Sequence, residues 1–197
     1  MLQIAARLKA SNDGPSTLRH VTSPQTLCLE DRRRLSAWAA DCAERVLALY
    51  EAEAPSDGRP RQAIDAARSF ARGEVGAAHM ILARGGGKGP QPDVTRVAAS
   101  AGRAAGQALA VAHMGAHALG AAAYACQAVF HAEPEKGQLA WTQEIQWQVA
   151  HMTPDVRDAL RQLPPVGEPG GPLGPGLLSR GLLGESIQRI QSTLGST

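Results

Sequence analysis

The chain has 197 residues and is 44% hydrophobic, which is enough to bury a core in one domain with appendages. Its 20 basic and 18 acidic residues give a net charge of +2, a balance that argues against a dedicated nucleic-acid-binding protein. Alanine favours helices, and runs of β-branched or aromatic residues that would indicate strands are few. We therefore predict an all-α fold: a compact orthogonal or antiparallel bundle of about six helices, with a tethered C-terminal helix.

The chain is predicted to begin with an N-terminal arm over residues 1–25, either poorly ordered or docked on a partner, followed by a helical domain over residues 26–163. The first helix should run from about Glu30 to Glu53. The second should open at Pro60 and end near Gly73. The glycine-rich loop at 84–92 is reminiscent of a phosphate-binding loop. However, Lys88 is followed by glycine and no strand precedes the loop, so phosphate binding is not expected there.

A long helical pattern follows, from Val94 to His131, with Asp93 as the expected cap. Unbroken, this helix would be about 57 Å long, which exceeds the width of a compact domain of this size. We therefore expect a break near Met114-Gly115, or earlier near Gly106. Two more helices are predicted, one over residues 138–152 and a short one over residues 154–163.

The C-terminal part of the sequence changes composition sharply. Residues 164–176 read PPVGEPGGPLGPG, which predicts a flexible linker. Residues 177–197 predict an amphipathic helix, whose apolar stripe has to be buried on this domain, on a second copy or on another protein. We expect a protein partner or a homo-oligomer through Leu177–Leu194.

A polar stripe interrupts the apolar segment between residues 111 and 131. On one continuous helix its members would fall within an arc of about 80°. None is Lys, Arg, Asp or Glu, so the stripe indicates a cleft, with a solvated helix face as the alternative. The members are His113, His117, Tyr124, Gln127 and His131.

The spacing of His113 and His117 is the one zinc sites use on a helix, but HExxH and a local third ligand are absent, so no metal is predicted. Without a metal, the two imidazoles could serve as acid and base near neutral pH. Asp41 lies at the edge of the first helix's apolar face and needs a partner such as Arg68, in either a salt bridge or a ligand pocket. Arg103 could reach the same cleft. Because residues 94–132 contain no acidic residue, that cleft would suit a polar or anionic small molecule.

The cysteines and the apolar segments bear on location. Cys28, Cys42 and Cys126 are odd in number and far apart, which indicates a reducing compartment and hence a cytoplasmic protein. We expect Cys42 and Cys126 to be small core residues. The N-terminus lacks the apolar run of a secretory signal. Residues 104–130 are uncharged and long enough to span a membrane, but glutamines and histidines interrupt them, so no membrane span is expected.

Four stretches of this sequence resemble a family of small bacterial helical proteins, the immunity proteins of polymorphic-toxin systems (immunity family five). They are LEDRRRLSAWAADCAERVL at 29–47, RPRQAIDAARSFARGE at 59–74, AAGQALAVAHMGAHALGAAAYACQAV at 104–129 and EIQWQVAHMTPDVRDAL at 144–160. The resemblance covers residues 30–163. Its motifs are Trp38-x2-Asp41, Arg59-Pro60, Arg68, His113-x3-His117, Tyr124 and Glu144-x2-Trp147-Gln148.

The resemblance implies a cytoplasmic all-α protein that binds and neutralises a toxin or antibiotic. The alternative is a cofactor-independent enzyme of natural-product biosynthesis, working in a protein complex and catalysing an intramolecular substitution or cyclisation. Nucleotide, flavin and nicotinamide motifs are absent, so no cofactor is expected. The candidate catalytic residues are Asp41, His113, His117 and Tyr124, and the candidate substrate-binding residues are Trp38, Arg68, Arg103, Gln127 and Glu144.

Overall fold

The computed structural model describes residues 23–80 and 93–195, whose regular structure is all helical with no strand, as predicted. The N-terminal residues 1–22 and the glycine-rich loop at 84–92 lie outside these ranges. The helices are α1 (Leu29–Glu51), α2 (Arg59–Ala71), α3 (Arg96–Ala110), α4 (His117–Ala132), α5 (Gly137–Ala150), α6 (Pro154–Arg161) and α7 (Gly181–Leu194). Residues 77–80 are also helical.

Helix α1 follows the predicted apolar stripe closely. The Cys28 sulfur caps it by accepting a hydrogen bond from the Asp31 amide, and acidic residues occupy its first turn, where the helix dipole favours them. The turn into α2 is closed by Asp57, whose carboxylate accepts hydrogen bonds from the Tyr50 hydroxyl and from Arg59. Arg59 holds the pKa of Asp57 well below its usual range. The contacts of Asp57 therefore hold the turn that connects α1 to α2.

The long helical pattern after residue 93 is divided in two. Thr95 caps α3, not the predicted Asp93, because its hydroxyl accepts from the Ala98 amide while its own amide is held by Glu53. Helix α3 ends at Ala110, and residues 111–116 form turns before α4 begins. A break near Met114-Gly115 is therefore confirmed, and the single helix from 111 to 131 is wrong.

The break has a tertiary cause. The amides of Gly115 and Ala116 donate to the carbonyls of Thr26 and Gln25, at 3.0 and 3.1 Å, instead of to a preceding helical turn. The Arg32 guanidinium also donates to a carbonyl within the turn. A Cβ at position 115 would lie 2.7 Å from a Leu27 methyl carbon, so glycine is what lets the two segments approach.

Helix α4 lies at the centre of the bundle and packs against α1, α3, α5 and α7. Residues 117–126 are all buried, and most of them are alanine or glycine, which lets the neighbouring helices approach closely. Gly120 shows how close the packing is, because an added Cβ would meet the side chains of Gln107 and Leu178. None of the described helices has the combined length and apolar character that a membrane span requires.

The C-terminal helix folds back on its own domain. Helix α7 packs against α4, α5 and α6, and its large aliphatic side chains join the main core: Leu183, Ile187, Ile190 and Leu194. Leu177 precedes the helix and is 67% exposed. The expected partner or second copy at Leu177–Leu194 is therefore not supported, because the side chains that would make the contact are already buried.

Residues 164–176 are irregular and mostly exposed, but Leu173 packs into the core; the predicted flexible linker stays a prediction. Leu173 is fully buried, and its amide donates to the side-chain oxygen of Gln25 at 3.0 Å. The Val166 amide donates to Gln191 of α7. Proline and glycine prevent a regular helix here, but they do not prevent the segment from packing on the bundle.

Candidate functional site

An exposed set of ion pairs joins α1 and α2. Arg68 donates to Asp41 at 3.0 Å and also to Glu44, while Arg61 contacts Glu51 at 2.7 Å. The Asp41 side chain is 55% exposed. The partner expected for Asp41 is therefore present, in the geometry of a surface salt bridge.

Glu144 is a buried carboxylate with several partners. It is 3% exposed, and its two oxygens lie 2.9 and 3.2 Å from Nε of Arg45. The Gln148 side-chain amide donates to Glu144 at 3.0 Å, and the backbone carbonyl of Gln148 accepts from the indole nitrogen of Trp38. Trp38 is itself buried. These contacts fix α5 against α1 and hold two of the candidate substrate-binding residues, Trp38 and Glu144, in the interior.

A stack of three side chains lies on the same face. The Arg45 guanidinium is 3.9 Å from the centroid of a Trp147 ring, and the His151 ring stacks on Trp147 at 3.9 Å. His151 Nδ1 lies 2.8 Å from the Trp147 carbonyl, which can only accept, so Nδ1 carries the proton. We call this the Arg45–Trp147–His151 stack.

Sequence reasoning missed Arg45 and His151. A signal for His151 was present, because it directly follows α5 and continues the i, i+3, i+4, i+7 face of residues 144, 147 and 148; Arg45 lies on α1 and had no such signal.

Helices α3 and α4 pair antiparallel along a row of polar contacts that we call the α3–α4 seam. Ser100 and Gln127 lie 3.1 Å apart, measured from hydroxyl to amide oxygen. The Arg103 guanidinium carbon lies 5.9 Å from the Tyr124 ring centroid. The seam comprises the pairs Ser100 with Gln127, Arg103 with Tyr124, and Gln107 with His117, and at its end burial, and then Arg96, lower the pKa of His131.

Tyr124 and the two central histidines differ in environment. Tyr124 is 3% exposed, and burial raises its pKa while Arg103 opposes that effect. His117 is buried, with Nδ1 2.8 Å from the Gln107 side-chain oxygen. His113 is exposed in the turn, so His113 and His117 do not share a helix face. Residues 23–80 and 93–195 hold no cluster of three or more potential metal ligands.

The four candidate catalytic residues occupy three places: Asp41 on the α1–α2 surface, His113 in the turn, and His117 and Tyr124 in the seam. None of the described contacts joins these places, so a common catalytic pocket stays a prediction. A cavity of about 300 Å³ lies between α5 and α7, and none of the nine candidate residues lines it. Its lining residues are Trp141, Thr142, Ile145, Gln146, Val149, Ala150, Arg189 and Thr193.

Comparison with known families gives one match. The family described as "Imm-5 like putative immunity protein" matches residues 25–155. The chain belongs to this Imm-5 like family. The matched part contains α1–α5 and all nine candidate residues, whereas residues 164–176 and α7 lie beyond it. No curated protein and no solved structure matched the chain.

Proposed function

We propose that this Imm-5 like protein is an immunity protein that binds and neutralises a protein toxin. The observation that carries the proposal is the family match over residues 25–155, which spans the whole α1–α5 bundle. We propose a protein as the ligand because the matched bundle carries a broad polar face on α1, α2 and α5.

We place the toxin contact on this face, with the Arg45–Trp147–His151 stack as its anchor. Tryptophan and arginine are the residues most often responsible for binding energy at protein interfaces. Glu144 and the Trp147 ring already orient the Arg45 guanidinium, so little side-chain entropy is lost when a partner binds. The Arg45 side chain is still 38% exposed, and its terminal nitrogens make no hydrogen bond within the described residues.

The surroundings of the stack suit an interface rim. Asp41, Glu44, Arg61 and Arg68 are partly exposed and alternate in sign, which would favour a partner of complementary charge pattern. Helix α7 instead packs on α4, α5 and α6. The chain's own C-terminal helix therefore leaves the pair of α1 and α2 open to a partner.

The experiment is a growth rescue. Each protein encoded beside this chain's gene is expressed from an inducible promoter in a bacterial host, with and without the full chain. We expect one neighbour to arrest growth and the chain to restore it, with binding of the two purified proteins by calorimetry. If no neighbour is toxic, or if no arrest is relieved, the proposal is overturned.

Two variants test the surface. Trp147→Ala and His151→Ala should weaken both rescue and binding, whereas Thr142→Ala, about 140° away on the same helix, should leave both unchanged. Melting temperatures show whether each variant is folded, and His151→Ala removes an exposed ring and should fold normally. Full rescue by both folded variants would remove the stack from the interface while leaving the toxin-binding proposal intact.

A further inference from the structure

The α3–α4 seam carries a second polar site, separate from the face with the Arg45–Trp147–His151 stack. We propose that Arg103 and the Tyr124 hydroxyl bind an oxyanion, the phosphate or carboxylate group of a small molecule. The inference stands apart from the toxin-binding proposal, because it rests on other helices and on other side chains.

The first observation is an unused hydroxyl. Tyr124 is 3% exposed as a residue, and its hydroxyl makes no hydrogen bond within the described residues. The hydroxyl oxygen is not among the fully buried side-chain atoms that lack a partner, so it reaches the surface, where a ligand can accept its proton. The ring also lies beside the Arg103 guanidinium, at 5.9 Å from its centroid. A ligand that reached this point would meet a cation and a hydrogen-bond donor together.

The second observation is the uncompensated positive charge of the seam. Residues 94–132 contain no Asp or Glu, and within the described part of the chain neither Arg96 nor Arg103 forms an ion pair. Glu53 is the carboxylate that contacts the start of α3, where Thr95 donates to both of its oxygens, eight residues before Arg103. The charges that act on Tyr124 and His131 come from arginines in both cases.

The chemistry of these groups decides the class of ligand. A guanidinium can only donate hydrogen bonds, and a neutral phenol with no acceptor nearby also has its proton to donate. The complementary ligand is a group that accepts several hydrogen bonds and carries negative charge. Phosphate and carboxylate meet that need, and the planar guanidinium matches the geometry of either.

The test uses the full chain labelled with ¹³C at the tyrosine ring carbon that bears the hydroxyl. The chain has two tyrosines, and Tyr50 serves as an internal reference because its hydroxyl is held by Asp57 at 2.6 Å. Sodium phosphate and sodium acetate are titrated separately against sodium chloride of equal ionic strength. We expect a saturable shift of the Tyr124 resonance with one or both oxyanions, and none with chloride.

Variants identify the donors. Arg103→Gln should weaken the saturable shift at least about tenfold, because it removes a charge-assisted hydrogen bond. Arg189→Gln, an exposed arginine on α7, is the matched control and should change nothing. Tyr124→Phe removes only the hydroxyl, and it should abolish the rise in melting temperature that the bound anion produces in the unaltered chain.

The two anions distinguish the sources. A tighter response to phosphate indicates a phosphorylated ligand, and a tighter response to acetate indicates a carboxylic acid. If neither anion gives saturation by about 100 mM, or if Arg103→Gln binds as well as the unaltered chain, the inference is overturned. None of these results bears on growth rescue, so the two proposals fail independently.

Discussion

Replacing Leu173 with alanine tests whether residues 164–176 are part of the core. The Leu173 side chain is fully buried and belongs to the main hydrophobic cluster. The substitution removes three carbon atoms at about 0.8 kcal/mol each and leaves a cavity, so leucine-to-alanine changes in rigid cores cost about 2.7–5.0 kcal/mol. A flexible linker would lose almost nothing.

The assay is chemical and thermal unfolding of the full chain, followed by circular dichroism. For a chain of this size each kcal/mol lowers the melting temperature by about 2–4 °C, so we expect a fall of about 5–20 °C. Leu177→Ala is the matched control, because Leu177 is 67% exposed and should change stability by about 0.5 kcal/mol or less. Equal, small effects of the two substitutions would refute the packing described here.

Two further predictions concern titratable groups. A thiol reagent should modify only Cys28 in the folded chain. Burial excludes the reagent from Cys42 and Cys126 and raises the pKa of both thiols. Rapid reaction of all three cysteines without denaturant would contradict this prediction. Burial, and then Arg96, hold the pKa of His131 below its usual 6.5, so the unfolded chain protonates first and stability should fall as the pH drops below 6.5. Arg96→Gln should raise the pKa of His131 in an NMR titration. An unchanged pKa would contradict the electrostatic effect of Arg96 on His131.

The helices could be predicted because their signals are local. The stripe of α1 and the proline that opens α2 set those helices within a few residues. The break before α4 could be anticipated from chain length and from Gly115. Its cause could not, because the carbonyls that hold it belong to Gln25 and Thr26, about 90 residues earlier.

The site was predictable only where two residues could be matched from their own helices. Asp41 and Arg68 each lie at the edge of an apolar face, and they do pair. The contact of Arg45 with Trp147 depends on how α5 crosses α1, which no periodicity specifies. The polar stripe was predicted on one helix facing a cleft. In the structure its side chains contact α3, which runs antiparallel beside α4, and periodicity could not predict that pairing either.

The buried side chain of Gln25 has a consequence for how the protein is made. Its backbone carbonyl accepts from the turn before α4, while its side-chain oxygen accepts a hydrogen bond from the amide of Leu173, which lies 148 residues further along the chain. A ribosome supplies residues in order, so this bond can form only after nearly the entire protein has been synthesised. The turn before α4 can form earlier, because residues 25 and 26 supply its carbonyls, but the Gln25 side chain lacks this bond until residue 173 has been made. We expect nascent chains that stall before residue 173 to be the form most exposed to proteases and to aggregation.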